Sequence, residues 1–213
     1  MVNKVRRLVA MAEGKKPKHC KVGHTGTLDP LATGLLVILV GKQYTRLAQD
    51  LTKHDKTYEV TMKLGETSTT GDNEGKKTPV NTRIPSENDI LTACAAFTGN
   101  IMQIPPAYSA IKIDGKRAYD LARAGKTVEL AARPVTIHEL RLTKYAYPEV
   151  YFTAVVSSGT YIRSLVEDIG QQLGTGAYMA GLRRTTVGKY QLTNALTMEN
   201  LSIDTLEQHL EEV

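Results

Sequence analysis

The sequence predicts an α+β fold, on three observations. Two segments alternate apolar and polar residues: Tyr58, Val60, Met62 and Leu64 against Glu59, Thr61 and Lys63, and Val150, Phe152, Ala154 and Val156 against Tyr151, Thr153 and Val155. Period two is the mark of a strand with one buried face. Two other segments carry apolar residues at helical spacing: Val5, Leu8, Val9 and Ala12 early in the chain, and Leu165, Val166, Ile169 and Leu173 late in it. Finally, Leu35-Leu36-Val37-Ile38-Leu39-Val40 is a continuous apolar run, read as a strand buried on both faces.

Composition bounds the function before any motif does. A chain of 213 residues, 41% hydrophobic and 23% charged, can bury one good core, with room for a second small lobe. Its 27 Lys+Arg against 22 Asp+Glu give a formal net charge of +5, which favours a polyanionic partner over an acidic small molecule. Cys20 and Cys94 lie in unrelated contexts and suggest neither a disulfide framework nor a metal knuckle, so a reduced, cytoplasmic compartment is expected. The six-residue apolar run is too short to span a bilayer, and the N-terminus lacks a signal-peptide core. His19, His54, His138 and His209 have no metal-ligand spacing, and no nucleotide motif is present, so neither metal nor cofactor is expected.

In chain order, residues 3–13 read as a helix, with Asn3 able to cap it and Gly14 as the stop. The basic linker Lys15-Lys16-Pro17-Lys18-His19-Cys20-Lys21 is either a solvated loop or a phosphate contact. After the apolar run, Lys42–Leu51 looks helical with Leu47, Ala48 and Leu51 inward; the glycine-bearing stretch 65–75 reads as a connection. Ser86 with Asp89 resembles a capping box opening a helix that carries Ile90, Leu91, Cys94 and Phe97. Ile104–Lys112 reads as extended, Asp114-Gly115 as a turn and Lys116–Ala124 as helical. Lys112, Lys116, Arg117, Arg123, Lys126 and Arg133 concentrate positive charge there. The tail from Thr197 reads as one or two short helices with an acidic end.

The stretch that organises the chain is Gly23-His24-Thr25-Gly26-Thr27-Leu28-Asp29-Pro30-Leu31-Ala32-Thr33-Gly34. Asp29-Pro30 is what a helix cap and first-turn proline look like, whereas the glycines suggest backbone that turns sharply or approaches a ligand. This stretch resembles the signature loop of the TruB family, the synthases that make pseudouridine 55 in the T arm of transfer RNA. Asp55-Lys56-Thr57-Tyr58 resembles the family's strand-opening tyrosine motif, Ser158-Gly159-Thr160-Tyr161-Ile162-Arg163 its second signature, and Gly181-Leu182-Arg183-Arg184-Thr185-Thr186-Val187 its third.

The resemblance implies a mixed, mainly antiparallel central sheet with flanking helices and a thumb-like insertion near residues 104–135. It implies one catalytic domain over residues 1–213, a cofactor-free enzyme, a monomer without an obligate protein partner, and transfer RNA as substrate. Forming pseudouridine breaks the C1′–N1 bond of uridine, turns the uracil and rejoins it through C5, which requires a base removed from its stack. Asp29 is the implied nucleophile, at C1′ or at C6, or the group that assists elimination to a glycal. A charged carboxylate in a water-excluding pocket is costly without a cation, and Arg163 is the implied partner. Tyr161 is implied to remove the C5 proton, directly or through water, and Tyr58 to stack on the uracil. His24 is implied to fill the flipped nucleotide's vacated place and Leu182 to pack near the base. Arg183, Arg184, Lys112, Lys116 and Arg117 are implied to meet RNA.

The chain departs from the family pattern at both ends. Members begin with an apolar strand and a Lys-Pro-x-Gly-Met loop, and that strand is expected to be missing here; a C-terminal PUA domain is likewise not expected. Two alternatives stay open at this level. One is a non-catalytic RNA-binding or RNA-folding protein on the same scaffold, and the other is a synthase acting on a different RNA.

Overall fold

A computed structural model describes all residues except 110, 114, 124–129 and 212–213. The chain divides into two compact units, Met1–His54 with Arg184–Val213, and Asp55–Arg183.

The first unit opens with helix α1, Val2–Ala12. Asn3 does not cap it; Met1 holds the cap position, and the Asn3 side chain accepts a hydrogen bond from Arg6 Nη1 at 2.9 Å. Val5, Val9 and Ala10 of this helix pack with Cys20 and Val22, joined by Val2, Ile38, Val40, Leu201 and Leu206. Strand β1, Val22–His24, pairs antiparallel with β3, Ile38–Val40, and between them lies the short β2, Thr33–Gly34. The apolar run is therefore a strand only in its last three residues. Leu35 and Leu39 are buried while Leu36, Val37, Ile38 and Val40 are half-buried, and the Leu35 N–H donates to the Arg184 carbonyl. The helix expected over 42–51 is broken into α2, Lys42–Arg46, and α3, Ala48–Thr52. The break falls at Leu47 and turns that side chain out, whereas Leu51 is buried.

The second unit is built on β4, Lys56–Leu64, whose inward residues Tyr58, Val60, Met62 and Leu64 are all buried. The next hairpin, β5 (Glu66–Ser68) with β6 (Lys77–Pro79), lies where the sequence suggested only a connection. Helix α4, Glu87–Ala96, has the expected capping box: the Asp89 N–H donates to Ser86 Oγ and the Ser86 N–H to Asp89 Oδ2. Strand β7, Gly99–Gln103, follows. The short hairpin β8 (Lys112–Ile113) with β9 (Lys116–Arg117) leads into α5, Ala118–Arg123, two residues later than the expected helix start. Strands β10 (Arg133–Ala146) and β11 (Glu149–Val156), helix α6 (Ile162–Gln172) and strand β12 (Ala177–Val187) complete this unit.

The strand order in this unit is β12-β4-β11-β10-β7, and the registered pairs along it are antiparallel. Val60 stands opposite Phe152 and Met62 opposite Val150, so the two alternating segments seen in the sequence are direct neighbours. Helix α6 buries Ile162, Leu165, Val166 and Ile169. The α+β expectation and its mainly antiparallel central sheet hold. Strand β10 escaped sequence reading because register shifts after Ile137 and after Leu142 interrupt its period, leaving only Val135 and Ile137 buried.

From Arg184 onward β12 belongs to the first unit, where its end pairs with β13, Tyr190–Gln191. Helix α7, Ile203–Gln208, closes the chain with a capping box of Ser202 and Thr205. No helix among the described residues is long and apolar enough to cross a membrane.

Candidate functional site

The glycine-rich loop of the first unit is held by one arginine. Arg184 is 1% exposed; its Nε donates to the Leu35 carbonyl at 2.8 Å and its Nη2 to the Gly26 carbonyl at 3.1 Å. Its own carbonyl accepts the Leu35 N–H at 2.7 Å. One side chain thus ties the two ends of the segment 26–35 together and satisfies carbonyls that would otherwise be stranded in a partly dry loop. Gly34, with φ +98°, passes so close that a β-carbon there would stand 2.2 Å from the Arg184 oxygen. Only glycine fits both the angle and the space.

Asp29 is half-buried at the crown of this loop. No helix follows it: its carbonyl accepts the Ala32 N–H at 2.9 Å in a tight turn, and the next helix is α2, so the helix-cap alternative is set aside. His24 ends β1 half-buried, with its Nδ1 accepting the Gly26 N–H at 3.3 Å. That bond assigns Nδ1 as the unprotonated ring nitrogen and fixes the ring beside the loop. His24 and Arg184 therefore hold the two backbone polar groups of Gly26, its N–H and its carbonyl. The deep burial of Arg184 differs from the RNA-facing role expected for it: a guanidinium committed to loop carbonyls is not offered to an incoming phosphate.

In the second unit, Tyr161 and Arg163 lie where the chain enters α6. Tyr161 is the residue before the helix, half-buried, and its backbone is clamped by Gln103. Gln103 Oε1 accepts the Tyr161 N–H at 2.8 Å, and Gln103 Nε2 donates to the Tyr161 carbonyl at 3.0 Å. Both ends of one amide are used and Gln103 is 2% exposed, so the entry to the helix is fixed to β7. Arg163 is 5% exposed. Its Nη1 donates to the Thr70 carbonyl at 3.3 Å and its Nη2 to the Tyr108 carbonyl at 3.0 Å, while Nε stands 3.9 Å from Asp72 Oδ2. A buried cation needs such a set of oxygens, and Asp72 is buried as deeply as its partner.

Asp72 is in turn fixed by the loop between β5 and β6. Its Oδ1 accepts from Thr70 Oγ1 at 2.5 Å and from the Glu74 N–H at 3.0 Å. One helical turn after Arg163, Glu167 points at the same loop, its carboxyl carbon and Oε1 standing 3.0 Å from where a Gly71 β-carbon would be. Burial pushes the Glu167 carboxyl up to about 7; Asp168 and Asp72 add to the rise and Arg163 opposes it. Asp168 is also raised, by burial. Sequence reading missed Gln103, Asp72 and Glu167. Glu167 falls in a helical pattern read for its apolar face, and the partners of Gln103 and Asp72 are far away in sequence.

Tyr58 is 8% exposed on the inward side of β4, and Leu182 is half-buried on β12. Arg183 is exposed, with Nη1 3.8 Å from Glu59 Oε2. The backbones of Lys112, Lys116 and Arg117 form the β8–β9 hairpin; their side chains, and Lys126 altogether, lie outside the described residues. Among the described residues no group of three or more His, Cys, Asp or Glu could hold a metal ion.

Comparison with known proteins places these features in a family. Residues 14–162 match the model described as TruB family pseudouridylate synthase (N terminal domain), and residues 163–213 match the tRNA pseudouridylate synthase B C-terminal domain. The chain is 53% identical over 184 residues to the tRNA pseudouridine synthase B of Cupriavidus metallidurans, covering 85% of this chain and 58% of that protein. It is 50% identical over 188 residues to the namesake of Burkholderia mallei, covering 88% of this chain and 62% of that protein. The chain thus spans about three-fifths of the length of these relatives. Among solved structures, a chain of a Cbf5-Nop10-Gar1 complex superposes with a TM-score of 0.68 at 28% identity, covering 97% of this chain and 52% of that one. A chain of an H/ACA RNP bound to a substrate RNA containing 2'-deoxyuridine superposes with a TM-score of 0.64 at 26% identity, covering 98% and 52%.

Proposed function

We propose that this chain, which belongs to the TruB family of pseudouridylate synthases, isomerises uridine to pseudouridine at position 55 in the T loop of transfer RNA. The observation that carries this reading is the half-buried Asp29 in a loop tied end to end by the buried Arg184, inside the segment that matches the family model. A carboxylate presented on a braced loop is what attack on, or elimination from, a nucleoside requires.

In this reading uridine is flipped out of its stack and Asp29 acts as an anion, at C1′, at C6 or in elimination to a glycal. Arg163 is the cation that the family resemblance assigns to this reaction, and within its own unit its guanidinium is held by the Thr70 and Tyr108 carbonyls and faces Asp72. Tyr161, whose backbone is clamped by Gln103, takes the C5 proton, and Tyr58 stacks on the uracil with Leu182 beside it. His24 fills the vacated place in the stack. Arg183, Lys112, Lys116 and Arg117 contact phosphates, with residues 104–135 as a thumb against the T arm; Arg184 shapes the loop. The reaction needs no change of redox state, and the protein works in the cytoplasm as a monomer.

The test is to incubate the purified chain with unmodified transfer RNA and map pseudouridine at single-nucleotide resolution. A single new site in the T loop is expected. A folded sample that binds the RNA but leaves every uridine unchanged would instead make it a binding protein on this scaffold.

A further inference from the structure

We propose that Lys77 is a positioning residue for Arg163, acting through the loop between β5 and β6; the proposal rests on the synthase reading above. The Lys77 ammonium donates to three backbone carbonyls of that loop: Gly75 at 2.7 Å, Asn73 at 2.8 Å and Asp72 at 3.1 Å. It also stands 4.5 Å from the ring centroid of Tyr178, which is 3% exposed. An ammonium has three donors, and each has an acceptor here. The loop thus wraps its carbonyls around a cation supplied by its own flanking strand, as it would around a bound ion.

This arrangement reaches Arg163 in two steps. The carbonyls held by Lys77 belong to the segment 72–75, and that segment presents the Asp72 carboxylate and the Glu74 N–H that binds it. Gly75 passes so close to Ser68 and Thr70 that a β-carbon would stand 2.4 Å from Ser68 Oγ and 2.6 Å from the Thr70 nitrogen, so the loop has little slack. Thr70 and Asp72 together take two of the Arg163 contacts described above. Without the ammonium, three carbonyl dipoles pointing at one small volume repel one another, and the loop relaxes by moving those two groups. The guanidinium would then lose the aim that the reaction needs, while the RNA-contacting surface stays as it was.

Lys77→Met keeps the stem and removes the charge. In single-turnover and steady-state assays on transfer RNA, kcat is expected to fall about tenfold with KM within about twofold. Lys77→Ala should regain part of its kcat with methylammonium, and none with tetramethylammonium at equal ionic strength, since the latter has no N–H to donate. In the free protein the Arg163 Nε–H resonance should move in Lys77→Met. An unchanged resonance, or a variant with wild-type kcat, overturns the proposal. If Lys77→Met does not fold, Lys77→Gln is read by the same criteria. Absence of pseudouridine with the wild-type chain would refute the synthase reading alone, because the resonance still decides whether Lys77 sets Arg163.

Discussion

At the scale of single residues, the second unit holds a buried arginine between two carbonyls and a buried aspartate, with a second carboxyl one turn along the helix. Glu167 gives this cluster a pH dependence whose sign follows from its environment. Burial raises its carboxyl from 4.5 to about 7, so the folded chain binds this proton more tightly than the unfolded chain does. The resulting stability is fully present below pH 4.5 and is lost as pH rises through 7. Glu167→Gln removes the titration. Melting curves between pH 5 and pH 8 should therefore show the wild type losing stability relative to the variant; parallel curves would contradict this. Cys94 is a simpler case: burial pushes its thiol up to about 11, which makes it an inert core residue.

At the scale of elements, the glycine-rich loop is closed by packing that tolerates no side chain at Gly34. A β-carbon there meets the backbone oxygen of Arg184, which cannot swing away as a side chain could. Gly34→Ala is expected to cost about 1–3 kcal/mol from the left-handed angle alone, with the clash adding to it. Thermal unfolding checks this, and a melting point equal to wild type would show that the loop yields. What was legible in the sequence divides along the same line. Strands β4 and β11, helix α6 and the capping box of α4 were readable because their signals are local: period two, helical period, and a Ser-Asp pair three residues apart. Strand β10, the β5–β6 hairpin and the break at Leu47 were not, since bulges, a glycine-rich turn and a rotated helix face leave no periodic trace. The site divides likewise. His24, Asp29, Tyr161 and Arg163 stand in motifs, whereas Gln103 and Asp72 act through partners 58 and 91 positions away, which no local pattern records.

At the scale of the whole molecule, the excess of 27 basic over 22 acidic side chains suits a polyanion, and the exposed lysines 15, 16, 18 and 21 stand just before β1 in the sequence. If such residues contact phosphates, binding to transfer RNA must weaken with salt through counterion release. Four phosphate contacts would lower the affinity roughly a hundredfold between 50 mM and 200 mM salt. Filter-binding or fluorescence titrations across that range measure the slope, and a flat dependence would count against phosphate contact by this surface.

In the proposed reaction Asp29 performs chemistry and is not merely a loop residue. The most direct test of that role is Asp29→Asn, a nearly isosteric change that leaves the Arg184 contacts to Gly26 and Leu35 in place. Pseudouridine formation in the T loop and equilibrium binding of the same transfer RNA should be measured on one preparation. Product formation should disappear while the dissociation constant stays within about threefold, as for a group acting only in the transition state. Pseudouridine formed by Asp29→Asn at the wild-type rate would contradict that role.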